Sequence, residues 1–296
     1  MHADEVHTDA ALVRRLLAAQ FPQWAELAIE RVRSAGTDNA IYRLGDGMAV
    51  RLPRIHWAAG QPEKEHRWLP VLAPLLPLAV PVPLAEGAPG EGYPWHWSVC
   101  PWLEGENATH ERLADPLEAA STLGGFVSAL QRIDSAGGPS PGTHNSGRGV
   151  PLAERDEETR AAIAALHDTV DPNVVSAAWD AALEAPAWDG PPVWLHGDLQ
   201  AGNLLAVDGR LSAVIDFGCL GVGDPACDVA AAWTYLAADS RNAFRAALRV
   251  DDATWARGRG WALSVGLIAL PYYRTTNPVL AGIARHAIDE ALDGAS

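Results

Sequence analysis

Residues 8–21 open at a capping residue and place Leu12, Val13, Leu16, Leu17 and Phe21 at the spacing of one helix face. The period then changes. Residues 27–33 read as a strand, Ser34 to Asn39 as a turn, 40–44 as a strand, Gly45-Asp46-Gly47 as a second turn and 48–53 as a third strand, which together predict an antiparallel meander. Pro62 marks the start of a helix over residues 61–70. Residues 72–83 are punctuated by proline and lead into a strand predicted at 80–84. A turn follows at 86–92, then a strand at 93–100 with Trp95, Trp97 and Val99 on one face. From residue 108 the pattern is helical: 115–133, 153–167, 172–183, 228–236, 241–248, 253–273 and 277–292. Between them, residues 135–149 form a Gly/Pro/Ser-rich loop of a length that is often functional or mobile. No internal repeat is evident.

One stretch departs from this background. Residues 193–228 read V-W-L-H-G-D-L-Q-A-G-N-L-L-A-V-D-G-R-L-S-A-V-I-D-F-G-C-L-G-V-G-D-P-A-C-D. Asp208-Gly209 lies between two apolar, β-prone runs, a strong hairpin signal. A hairpin there brings Asn203 and Asp216 together, just downstream of Asp198. That grouping suits phosphoryl transfer, in which the protein mainly positions reactants and neutralises spread negative charge. Asn203 and Asp216 offer oxygen ligands to Mg²⁺, and Asp198 offers a carboxylate to accept the proton of an attacking hydroxyl. Aspartate, asparagine five positions on, then D-F-G is also the order of the protein-kinase signature, with H-G-D here in place of H-R-D. Each piece alone has a plain reading: Asp208-Gly209 as a turn, Asp224-Pro225 as a turn or helix start, and Asp228 as a helix cap. His196 reads as a residue that holds the loop rather than one that does chemistry.

Together, His196-Gly-Asp-Leu-Gln-Ala-Gly-Asn203, Ile215-Asp-Phe-Gly218 and Gly223-Asp-Pro-Ala-Cys-Asp228 resemble the aminoglycoside phosphotransferase family of kinase-like small-molecule phosphotransferases. The resemblance implies an α+β, protein-kinase-like fold of two lobes. Residues 1–100 would form the nucleotide-binding lobe, 101–105 the hinge, and 106–296 a mainly helical lobe that carries catalysis and the acceptor. It implies ATP or GTP as donor and Mg²⁺ as cofactor, with Asp198 as base, Asn203 and Asp216 on the metal, and His196 and Asp228 supporting the catalytic loop. The nucleotide would lie against Ser34, Gly36 and Asn39 of the first turn, Cys100, Trp102 and Leu103 near the hinge, and Leu205 and Ile215. Met48-Ala-Val-Arg51 occupies the place of the kinase V-A-I-K, so Arg51 stands where that pattern has lysine, and Arg and Lys are not interchangeable. Residues 50–54 also resemble the R-I-P-R run of macrolide phosphotransferases, which favours a functional Arg51. Glu63 and Glu65 are both candidate partners for it, and Glu65 shares a helix face with Trp68 and Leu69.

The chain of 296 residues is long enough for one large or two ordinary domains, and its formal charge is −15 with Lys64 as its only lysine. That balance disfavours a nucleic-acid partner. An acidic surface suits a polycationic acceptor such as an aminoglycoside, and it equally serves solubility. Three cysteines without a C-x-x-C pair argue against a disulfide framework or zinc site. With no apolar run of membrane length and an acidic N-terminus unlike a signal peptide, a cytoplasmic protein is expected. No motif identifies the acceptor site. Glu104, Asp224, Asp228, Trp233, Tyr272, Tyr273 and Asp289 are possible contributors. The expected acceptor is a hydroxyl of an aminoglycoside-type antibiotic; competing readings are a kinase of a macrolide, amino alcohol or other metabolite, and a nucleotide-binding pseudokinase scaffold, for which Arg51 is the only support. A protein kinase is disfavoured, because no A-P-E follows and Gly223-Asp224-Pro225 comes almost directly after D-F-G, leaving no room for an activation loop. The oligomeric state is left open.

Overall fold

The computed structural model describes residues 5–33 and 36–293. Helix α1 (Ala10–Gln20) starts where the Asp9 carboxylate accepts the Leu12 N–H at 2.7 Å, and it buries Leu12, Val13, Leu16 and Leu17. Asp9, not Thr8, is therefore the cap; Thr8 is buried and its hydroxyl accepts from Tyr42. Strands β1 (Ile29–Arg31), β2 (Asn39–Leu44) and β3 (Met48–Pro53) form the expected meander. Helix α2 (Gln61–Leu72) follows, then β4 (Ala85–Gly87) and β5 (Trp97–Pro101), giving an antiparallel sheet in the order β1-β2-β3-β5-β4. Two strand expectations shift. Residues 80–84 are not a strand, since Pro81 and Pro83 have no N–H to donate to a ladder, and pairing with β5 begins at Ala85. The strand predicted over 93–100 starts only at Trp97, beyond Pro94. A core of Tyr42, Leu44, Val50, Trp97, Val99 and the buried face of α1 fills this part.

The remainder is mainly helical, with a second core. The short strand β6 (Glu106–Asn107) leads to α3 (Pro116–Gln131), then α4 (Asp156–Ala165) and α5 (Pro172–Leu183). Strands β7 (Val193–Leu195), β8 (Leu204–Val207), β9 (Arg210–Val214) and β10 (Gly221–Gly223) carry the H-G-D and D-F-G motifs of residues 193–228. Helices α6 (Ala226–Val229), α7 (Ala231–Thr234), α8 (Arg241–Leu248), α9 (Asp252–Tyr273) and α10 (Pro278–Leu292) complete the chain. The single helix expected over 228–236 is thus two short ones, and Asp228 lies inside the first rather than capping it. Asp115, Asp171 and Asn277 each precede a proline and accept N–H groups of the first turn of α3, α5 and α10, which is why those starts were legible. Among the described residues no helix is long and apolar enough to cross a membrane.

Candidate active site

Two small β units bring the polar residues of 193–228 together. The β8–β9 hairpin turns at Asp208-Gly209, both with positive φ (50° and 76°), as an Asp-Gly turn requires. Its register sets Asn203 against Ile215, whose N–H donates to the Asn203 carbonyl at 2.9 Å. Beside it, β7 pairs with β10, so the H-G-D turn leaves the sheet next to the chain that follows D-F-G. Gly197 has φ +83°, and a Cβ there would fall 2.9 Å from the Cys219 carbonyl, so glycine is required in H-G-D.

His196 and Asp228 are the struts of this turn. The fully buried His196 donates from Nε2 to the Ile215 carbonyl (3.0 Å) and accepts the Asp198 N–H at Nδ1 (3.1 Å). Those partners fix its neutral tautomer and tie H-G-D to D-F-G. Asp228 accepts the N–H groups of His196 and Gly197, both at 2.7 Å. Burial pushes its carboxyl upward, while the two N–H groups favour the anion. Neither residue lines the cleft.

Asp198 does line it. Its Oδ2 accepts from Asn203 Nδ2 (2.8 Å) and Gln200 Nε2 (3.1 Å), which orients the carboxylate with Oδ1 to spare. Asn203 also donates to the Asp198 carbonyl at 2.8 Å, so its amide nitrogen is committed and its oxygen is the atom it can offer a cation. Asp216 has φ +62°, uncommon for a non-glycine residue, and a half-exposed side chain. Its Oδ1 accepts from Arg51 Nη2 at 3.0 Å, while Arg51 Nη1 meets the buried Glu65 at 2.6 Å. Burial alone would lower the Arg51 guanidinium; Glu65 and Asp216 reverse that and hold it charged. Glu63 points elsewhere, towards His96 at 3.8 Å on the surface, so Glu65 is the partner of Arg51.

These groups face one cleft of about 1020 Å³. Asp198, Asn203, Asp216, Arg51, Gly36, Asn39, Cys100, Trp102, Leu103, Leu205 and Ile215 all line it. Ser34 lies outside the described residues. The Asn39 side chain turns to Gln61, donating to Oε1 at 3.0 Å. At the far end the walls come from α7, α9 and α10, including Trp261, Val265, Ala269, Tyr273, Ile283 and Ala287. Of the acceptor candidates, Tyr272 and Tyr273 line this end. Asp224 does not: it is buried and bonded to Arg257 at 2.9 and 3.1 Å. Trp233 is buried against Trp255, Asp289 is exposed outside the cleft, and Glu104 pairs with Arg43 on the surface. Sequence reasoning missed Arg148 and Gln200, which line the cleft, and Gln61 and Lys64, which lie behind it and bond to Asn39 and Gly218. Arg148, for example, donates to the Gly197 carbonyl at 2.9 Å from the distant 135–149 loop. Only Lys64 carried a signal, as the sole lysine.

A cleft between an antiparallel sheet and a helical region, holding two aspartates, an asparagine and an ion-paired arginine in kinase order, defines a small-molecule phosphotransferase. Residues 29–261 match the profile of the phosphotransferase enzyme family (APH), and the chain belongs to that family. No curated protein sequence matches it significantly. Among solved structures it is similar to the GDP complex of a point mutant of aminoglycoside 2'-phosphotransferase IIIa (TM-score 0.76, 17% identity, 96% of this chain and 97% of that one). It is similar to the GDP and kanamycin complex of APH(2'')-IIIa (TM-score 0.72, 18% identity, 94% and 97% covered). It is also similar to a macrolide 2'-phosphotransferase from Brachybacterium faecium (TM-score 0.61, 22% identity, 97% and 99% covered). The kinase-like α+β fold is thus shared across nearly the whole length.

Proposed function

We propose that this protein transfers the γ-phosphate of ATP or GTP, with Mg²⁺, to a hydroxyl of a small molecule. The observation that carries the reading is an Asp198 carboxylate held by Gln200 and Asn203 in the same cleft as Asp216 and Arg51. In this reading Asp198 accepts the proton of the attacking hydroxyl through its less engaged Oδ1. Arg51, locked by Glu65, steadies the donor phosphates. The oxygen donors fit the metal: a half-exposed Asp216 carboxylate and an Asn203 amide whose nitrogen is already used. Asp216 and Asn203 would hold Mg²⁺, which when bound neutralises phosphate charge. His196 and Asp228 keep the turn rigid. The hinge is taken as 101–105, with the nucleotide base beside Cys100, Trp102 and Leu103.

The lining of the acceptor end favours an apolar alcohol over a polyamine. Among the described residues lining the cleft the only carboxylates are Asp38, Asp198 and Asp216, and none comes from α7, α9 or α10. A polycationic aminoglycoside needs anionic partners where it is desolvated, whereas the partly exposed Val265, Ala269, Leu280 and Ile283 offer apolar area. The exposed Tyr272 and Val279 extend that surface to the rim. A large, mostly apolar acceptor of macrolide type is therefore the first reading and an aminoglycoside the second, which the acidic surface and the kanamycin-bound neighbour support. The test is ADP or GDP release with Mg²⁺ across macrolides, aminoglycosides and small amino alcohols, with Asp198→Ala alongside. Macrolide-stimulated release that falls on the order of a hundred- to ten-thousand-fold in Asp198→Ala is expected. Full turnover in that variant would remove Asp198 as base, and stimulation by aminoglycosides alone would overturn the apolar assignment.

A further inference from the structure

The only lysine of the chain lies outside the groups assigned above, yet it touches the machinery. Lys64 sits on α2, one residue before Glu65. Its Nζ donates to the Gly218 carbonyl at 2.7 Å and the His144 carbonyl at 3.2 Å, and it meets His144 Nδ1 at 3.2 Å. His144 Nε2 is paired with the Ser140 carbonyl at 2.8 Å, which leaves Nδ1 to accept. An ammonium has three N–H donors, and three acceptors surround this one. Gly218 is the glycine of D-F-G, two residues after Asp216. It is also pressed against α2, since a Cβ there would lie 2.7 Å from the Gln61 amide.

His144 belongs to the 135–149 loop, and that loop is bound to the catalytic units along its length. Val222 N–H donates to the Pro139 carbonyl and Asp224 N–H to the Gly149 carbonyl, both at 2.9 Å, and Arg148 reaches Gly197. Trp57, preceding α2, donates to the Thr143 carbonyl at 2.8 Å. Lys64 is thus where α2, the D-F-G turn and the loop meet. Burial lowers its ammonium to about 8, so it remains mainly charged at neutral pH.

We propose that Lys64 is a positioning residue for phosphoryl transfer, tying α2 and the 135–149 loop to the turn that carries Asp216. The proposal rests on the phosphotransfer reading above. Through Gly218 it sets the strained Asp216 turn, and through its own helix it sets Glu65 and hence Arg51. It touches neither substrate nor the reacting atoms.

The test compares wild type, Lys64→Met and Lys64→Arg by two readouts. The first needs no activity: hydrogen exchange of the nucleotide-free protein. Exchange in the segments 216–220 and 143–149 should rise about tenfold in Lys64→Met, with α3 and α9 unchanged. The second is steady-state kinetics with the active acceptor. Here kcat should fall about tenfold or more while the acceptor KM stays within about twofold, and Lys64→Arg should restore part of both effects. Unchanged exchange in both segments overturns the tie. Raised exchange with unchanged kcat, or equal loss of kcat in Lys64→Arg and Lys64→Met, overturns the positioning role. Absence of any turnover in wild type would instead defeat the phosphotransfer reading and with it the role in transfer, while exchange still judges the tie.

Discussion

At the end of the cleft proposed to take the phosphates, Arg51 is bonded to Glu65 and Asp216 at 2.6 and 3.0 Å and Asn203 to Asp198 at 2.8 Å, with Gln200, His196 and Asp228 supporting the turn. At the end proposed to take the acceptor, α9 and α10 present Val265, Ala269 and Ile283 and, among the described residues, no carboxylate. In the proposed reading the first end recognises by charge and hydrogen bonds, which fix residue type and position within a few tenths of an ångström. The second recognises by shape and apolar area, which many combinations of side chains supply equally well. A motif can therefore exist at one end and not at the other. This also fits a fold that this chain shares, at 18% and 22% identity, with an aminoglycoside and a macrolide phosphotransferase.

The largest effect is expected from breaking the crowded end at its buried support. Asp228→Ala leaves the N–H groups of His196 and Gly197 without their acceptor inside the protein. Two unpaired buried donors cost roughly 2–6 kcal/mol, a large share of a domain's stability. The urea midpoint should drop accordingly, with Asp228→Asn intermediate because one oxygen remains. An unchanged midpoint would mean the turn is held by something other than Asp228.

A smaller effect is expected from giving the apolar end a charge. Ile283 is partly exposed on α10, so Ile283→Asp places a carboxylate in the wall without burying it completely. The specificity ratio kcat/KM for a macrolide over the polycationic kanamycin should fall roughly 10- to 200-fold, the range of one pocket contact. Thermal stability should change little. If the ratio holds, the wall does not select by polarity and the contrast between the two ends fails.

The same contrast governs what was legible in the sequence. The helices at 172–183 and 241–248 were readable from apolar period, with a cap and proline starting the first. That Asp198, Asn203 and Asp216 come together in one cleft was readable because the Asp208-Gly209 hairpin between them is a local signal. Residues 80–84 misled because Val80, Val82 and Leu84 alternate like a strand while the prolines between them remove the donors a strand needs. Asp228 looked like a cap because it precedes an alanine-rich helical run; its partners lie 31 and 32 residues away, a separation no local pattern encodes. Gln200 and Arg148 were invisible for a related reason. Each acts through one side-chain bond: that of Gln200 is set by how the H-G-D turn bends back on itself, and that of Arg148 exists only once the 135–149 loop folds against that turn.

The smallest effect measures how far the charge web reaches along the nucleotide edge. Cys100 is 1% exposed on β5, beside Arg51. Burial raises its thiol from 9.0 to about 11, with Arg51 pulling the other way. A folded pKa above the unfolded value stabilises fully below pH 9 and loses that contribution as pH rises towards 11, because the unfolded chain releases the proton first. Between pH 8.5 and 10 this loss is about 1 kcal/mol for the one thiol. Cys219 and Cys227 are shifted upward by burial as well, so the wild type should lose stability across this range. Cys100→Ala should flatten the decline by the share of one group, read from urea midpoints at the two pH values. An identical slope in wild type and variant would show that the Cys100 thiolate is tolerated in place, with Arg51 compensating it. The charge web would then extend past Glu65 and Asp216 to the base-binding edge of the cleft.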